Sequence, residues 1–235
     1  MDKIKILNSN QLKMLAIITM VIDHLLKTGL IENNLIFVIL GRISFPIFAF
    51  CVAEGIFYTH DKKRYFLNLF VFALLSEIPM DFALSGGIDM NHQNVLFTFS
   101  FAVLATIGFE YIKKFDGKGY FLYDFIFLLF ILTISMFLCV DYDFLGVLLV
   151  LFFYFSKRFS FLKSKLIITI ALILFCGIIA FPLQGFSQIY GIAAIPILYL
   201  YNGKKGKKNN IIKYIFYGVY PIHFIILIIL EGVIL

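Results

Sequence analysis

The stretch LKMLAIITMVIDHLLKTGL, residues 12–30, decides the fold class and raises the functional question together. It is apolar for nearly the whole length that a bilayer crossing requires, about 20 helical residues for a core of about 30 Å. Yet Asp23 and His24 stand side by side within it. A charged group at the centre of a spanning helix costs on the order of 2.5–3.5 kcal/mol on insertion scales. Two titratable groups in such a run therefore need a reason.

The rest of the chain matches this first run. Of 235 residues, 62% are hydrophobic and 14% charged, with a mean hydropathy of +0.98. A soluble domain carries about a quarter charged residues, so this composition excludes a soluble globule and predicts one polytopic membrane domain over 1–235. A cleavable leader is not expected, because the first run is too long for one and lacks a small-residue cleavage site. Apolar runs of spanning length lie at 12–30, 35–58, 65–84, 94–112, 120–139, 142–156, 164–184, 187–201 and 211–234. They lack strand-type alternation, and helices satisfy their own backbone in lipid. The fold expected is an all-α bundle of about nine transmembrane helices.

Charge decides whether the two short runs, 142–156 and 187–201, count as crossings. With nine crossings, eighteen of the twenty basic residues fall on one side: Lys3, Lys5 and Lys13, then Lys62, Lys63 and Arg64, then the clusters at 113–118, 157–165 and 204–213. Glu32, Asp89, Asp141 and Asp143 fall on the other. The positive-inside rule then places the N-terminus in the cytoplasm and the C-terminus outside. The net charge of +6 is thus a topology signal. Nucleic acid has no support beyond charge. Cys51, Cys139 and Cys176 are scattered without metal-type spacing and read as packing residues, so no metal site is expected.

On this topology His24, Arg42 and Glu77 reach similar depths in the outer half of three consecutive spans. Asp23 and His24 point about 100° apart on their helix, so each needs a partner from elsewhere. Arg42 suits Asp23 or Glu77. His24 wants a carboxylate or hydroxyl on one ring nitrogen, leaving the other free. His223, in Y-P-I-H-F, is a second intramembrane histidine and shares a face with Tyr220. Glu54 sits close enough to the interface to reach water. A buried network that only fixes helix packing would use the same residue types. Chemically, a histidine can take a proton from an amine or hydroxyl nucleophile, and an arginine can hold an oxygen as charge develops on it. Basic loops such as Lys62, Lys63 and Arg64 could hold the phosphates of a thioester donor. This set suits acyl transfer from an inner donor to an outer acceptor. No P-loop, GxSxG or HExxH pattern is present.

Five segments carry a resemblance to a known family. They are L-K-M-L-A-I-I-T-M-V-I-D-H at 12–24, G-R-I-S-F-P-I-F-A-F at 41–50, D-Y-D-F-L-G-V-L-L at 141–149, Y-G-I-A-A-I-P-I-L-Y-L-Y-N-G-K-K-G at 190–206 and Y-I-F-Y-G-V-Y-P-I-H-F at 214–224. Together they resemble the TraX family of conjugal-transfer membrane proteins, which is similar in turn to the wider transmembrane acyltransferases. The resemblance implies acetylation, known in the family for the amino-terminal residue of a conjugative pilin, with acetyl-CoA as donor. It implies a multi-pass protein of the bacterial inner membrane, and an extracytoplasmic acceptor that is a pilin amine or a cell-surface glycan. On the matching positions we assign His24 as general base, Asp23 and Arg42 as its charge-holding neighbours, and His223 as a second candidate base. Glu77 completes the candidate set. Two other classes stay open: a proton-coupled transporter, which also uses intramembrane Asp, Glu, His and Arg, and a non-enzymatic pilus or envelope assembly factor.

Overall fold

A computed structural model describes residues 5–115, 120–180, 185–206 and 210–234. Each of the nine apolar runs is helical there. The helices are α1 (Ser9–Lys27), α2 (Leu35–Arg42), α3 (Ser44–Tyr58), α4 (Lys62–Ser85), α5 (Val95–Phe115), α6 (Tyr120–Phe137), α7 (Asp143–Ser156), α8 (Phe161–Ala180), a 3-10 helix (Phe186–Ala193), α9 (Ala194–Tyr199) and α10 (Asn210–Ile234). No strand occurs among the described residues, only two isolated bridges. Lys3, Lys118, Lys207, Lys208 and the end of the 164–184 run lie outside the described residues.

Local sequence explains the boundaries. Asn8 begins α1 with a capping box: its side chain accepts from the Gln11 N–H, and the Gln11 side chain accepts from the Asn8 N–H. Asn34 caps α2 through the Ile36 N–H. The α2–α3 break falls at Ile43, and Pro46 lies in the first turn of α3, where its missing N–H does no harm. Gly86 takes a left-handed conformation after α4.

Five helices among the described residues are long and apolar enough to cross a membrane: Leu35–Tyr58, which spans α2 and α3, Lys62–Ser85, Val95–Lys114, Tyr120–Phe137 and Tyr214–Gly232. The surface agrees. On α6 only Ile131 and Ser135 are buried, while Phe121 and Phe137 are about four-fifths exposed. Apolar surface on that scale belongs against lipid. The chain is a helical membrane protein.

Packing forms a ring. Going round it, α1, α2, the 3-10 helix, α8, α7, α5, α4 and α10 each touch the next, and α10 returns to α1. Inside the ring lies α3, against α1, α5, α7 and α9, and most of its residues are buried. Outside the ring, α6 packs on α5 and α7. At 14 residues, α7 is about 21 Å long, shorter than a bilayer core, and most of it is buried in protein.

The helix ends collect into two faces. On one, the Gln93 N–H donates to the Cys139 carbonyl at 2.9 Å and the Asp141 N–H to the Gln93 carbonyl at 2.8 Å, tying the α4–α5 loop to the α6–α7 loop. This face carries Asp89, Asp141 and Asp143. On the other, the Leu7 N–H donates to Leu200 and the Asn202 N–H to Leu7. There Lys157 pairs with Glu54, and Lys62 with Glu110. Lys62 and Lys157, from two of the basic clusters, lie on this second face.

One sequence expectation is corrected. Glu54 does not reach water: it is 4% exposed, bonded to the Lys157 ammonium and to the Tyr201 hydroxyl at 2.7 Å. The α7 C-terminus and the segment after α9 close over it.

Candidate functional site: two histidines beside an aspartate–arginine pair

Asp23 and His24 do find separate partners from other helices. The Asp23 carboxylate lies 3.5 Å from the Arg42 guanidinium on α2 and 2.9 Å from Lys27, one turn along its own helix. This approach of α1 to α2 needs Gly41, because a Cβ there would stand 2.6 Å from the carboxylate oxygen of Asp23. Ser44 adds a hydrogen bond to the Ala16 carbonyl at 3.1 Å, fixing α3 to α1. Two cations on one carboxylate leave the trio with a net positive charge. Arg42 Nε is buried and makes no hydrogen bond among the described residues.

Among the described residues His24 is bonded to neither carboxylate nor hydroxyl, which corrects that expectation. Its Nδ1 lies 2.7 Å from Nε2 of His223 on α10. The ring centroids are 4.9 Å apart with 15° between planes, and Phe224 lies against both. α10 approaches α1 here, so the second intramembrane histidine takes the place expected for an oxygen. His223 Nδ1 lies 3.0 Å from the Val219 carbonyl. A carbonyl can only accept, so His223 Nδ1 carries a hydrogen and, with the ring neutral, its Nε2 is an acceptor. His24 Nδ1 must then donate to it. The lone pair of the pair of rings thus resides on His24 Nε2. Tyr220 does not bond His223 through its hydroxyl, which reaches the Val95 backbone instead.

Tyr142 extends the cluster. It lies within hydrogen-bonding reach of the Arg42 guanidinium, stacks on Phe45 at 3.8 Å and has a left-handed backbone, φ 62°. Cys139 and Asp143 share that conformation. Three such non-glycine residues within five positions are uncommon and concentrate where function over-determines geometry.

Glu77 does not meet Arg42. One carboxylate oxygen accepts from the backbone and side chain of Asn94, whose amide also donates to the Ala73 carbonyl at 2.8 Å. The residues Lys62, Lys63 and Arg64 start the same helix, fifteen positions and about 22 Å away. Lys62 is bonded to Glu110, whereas Lys63 and Arg64 are exposed. Sequence reading missed Asn94, Tyr142 and the Val219 carbonyl. Asn94 had a local signal, an asparagine opening an apolar run, and it does cap Leu96.

On the acidic face, His92 pairs with Asp141 at 3.5 Å. That hydrogen bond lifts the imidazole above its ordinary value, against burial and the Lys27 charge and with help from Glu77. A group raised on folding stabilises fully below its unfolded value, about 6.5, and loses that contribution as pH rises through the folded value. Thermal stability should therefore decline from about pH 6 to about pH 8, and His92→Gln should flatten that decline in a melting series. The imidazole is half exposed, so the effect is small.

Comparison with known proteins places this geometry in a family. A family model described as "TraX protein" matches residues 8–231. A protein of Dichelobacter nodosus described as "Probable fimbrial assembly protein FimC, serogroup H1" is 28% identical over 235 residues, covering 92% of this chain and 93% of its own. No solved structure matches. With nearly its whole length spanned by the family model, the chain belongs to the TraX family.

Proposed function

We propose that this protein is a membrane acetyltransferase that takes an acetyl group from acetyl-CoA on its basic, cytoplasmic face. It passes the group to an amine or hydroxyl acceptor on its acidic, extracytoplasmic face. In this reading the nine helical runs all cross the bacterial inner membrane. The observation that carries it is the hydrogen-bond chain from Val219 through His223 to His24, which leaves the His24 Nε2 lone pair open, with a buried, unpartnered Arg42 Nε on the next helix within electrostatic reach of that imidazole. His24 Nε2 takes the acceptor's proton as the acceptor attacks the thioester carbonyl. Arg42 Nε donates to the carbonyl oxygen as negative charge builds there. The carbon–sulfur bond breaks, and the proton on His24 passes to the leaving sulfur. His223 keeps His24 in the correct tautomer, the task a carboxylate performs in the familiar serine triad. Asp23 holds the guanidinium, and Lys27, bonded to the same carboxylate, adds to the local positive charge.

The D. nodosus relative supports a tie to fimbrial assembly, and a pilin amine is the acceptor the family resemblance implies. The same relative favours a second reading, an assembly factor without catalysis. Proteoliposomes decide between them. With labelled acetyl-CoA supplied to the basic face, label should appear on acceptor amines or hydroxyls presented to the acidic face. Absence of transfer to any fraction of the host's envelope proteins or glycans would leave the assembly reading.

A further inference from the structure

We propose that Glu77 and Asp81 form a site for a hard divalent cation, calcium in the first instance, beneath the α4–α5 loop on the acidic face. The two residues are four positions apart on α4, so their side chains rise from one helix face about 5–6 Å apart, within electrostatic reach of each other. Asp81 is 3% exposed. One of its oxygens accepts from the Asp89 N–H at 3.2 Å, and the other is buried without a partner among the described residues. Glu77 repeats the pattern, with one oxygen held by Asn94 and the other buried and unpartnered. Asn94 has no exposed surface and is fixed by three further hydrogen-bonding groups, so the carboxylate it orients cannot swing away.

A buried carboxylate beside a half-buried one, each with one oxygen tied down and the other buried without a partner, is an expensive pair unless a cation joins them. Among the described residues no arginine or lysine forms an ion pair with either carboxylate. His92 lies within electrostatic reach of Glu77 but is committed to Asp141. The donors are all oxygen, which selects a hard cation over zinc or copper. Two protein carboxylates make an open site, since no group of three or more acidic, histidine or cysteine residues gathers among the described residues. Water completes the shell, as in weak extracellular calcium sites with dissociation constants of about 10⁻⁴–10⁻³ M. The bound cation would brace the loop that carries Asp89 and Gln93. Through the Gln93 hydrogen bonds to Cys139 and Asp141 it would brace the left-handed turn that presents Tyr142 to Arg42. This inference does not depend on the acetyltransferase reading.

The test uses the full chain in detergent or nanodiscs. Terbium stands in for calcium, and its luminescence is excited through tyrosine, because the chain has no tryptophan and Tyr220 lies within electrostatic reach of Glu77. Expected are saturable luminescence displaced by calcium, and a melting temperature raised by about 5 °C at a hundredfold excess of calcium over its dissociation constant. Both should vanish in Asp81→Asn and in Glu77→Gln, and both should persist in Glu32→Gln. Each isostere should also melt no lower than wild type without cation, because one of two repelling charges is gone. Luminescence that survives both substitutions, stabilisation by sodium alone, or isosteres that melt lower without cation would each overturn the site.

Discussion

His24→Gln is expected to lower acetyl transfer by about two to four orders of magnitude, the usual contribution of a positioned base, and to leave the melting temperature unchanged. Glutamine can keep the hydrogen bond that His24 makes, because its amide N–H can donate to His223 Nε2 as the imidazole Nδ1–H does. It can also keep packing against Phe224, which touches the imidazole at 4.7 Å between ring centroids. What it lacks is a nitrogen lone pair. The variant therefore separates proton transfer from helix packing. A comparable rate in His24→Gln would leave the cluster with a packing role and favour the assembly factor. A rate lost together with stability would mean that the imidazole is a structural element of the α1–α10 contact.

Glu54→Ala is expected to cause the largest loss of stability, about 3–5 kcal/mol, the range found when one partner of a buried ion pair is removed. The Lys157 ammonium sits within 6.0 Å of four ring centroids, those of Phe50, Phe57, Tyr58 and Tyr201. Burial draws it down to about 8. Removing the carboxylate leaves that ammonium among rings with no anion, and leaves the Tyr201 hydroxyl without its acceptor. At the basic face this cluster joins α3, α7 and the segment after α9. Replacing both charges, Glu54→Met with Lys157→Met, should recover most of the loss, because an apolar pair of similar volume needs no desolvation. Thermal unfolding of the three variants in one detergent measures this directly. A double variant as unstable as Glu54→Ala would show that the loss came from packing volume.

How much of this was legible before any coordinates depended on the range of the interaction. Helices are local, and the described part of each of the nine apolar runs is helical, the two short ones included. The partner of Arg42 was half readable: charges at one depth in consecutive spans pointed to Asp23 or Glu77, and packing of α1 on α2 selects Asp23. The His24–His223 bond was not, since 199 positions separate the residues and no sequence pattern says which face of α10 meets α1. Glu54 was misread for a similar reason: depth along a helix suggests access to water, but Lys157 and Tyr201 arrive from distant segments to cover it. Asp81 stands one turn beyond Glu77 in the sequence. Its significance depends on burial and on an open oxygen, and composition reports neither.

The central claim is that His24 presents an unprotonated Nε2. Nitrogen-15 resonances of the imidazoles measure this most directly. The chain has four histidines, so single replacements of His60 and His92 assign the spectrum of labelled protein in nanodiscs. At neutral pH both His24 and His223 should show protonated Nδ1 and bare Nε2, with a coupling or a shared proton between His24 Nδ1 and His223 Nε2. His24 found as the Nε2–H tautomer, or as a stable imidazolium at neutral pH, would contradict the account.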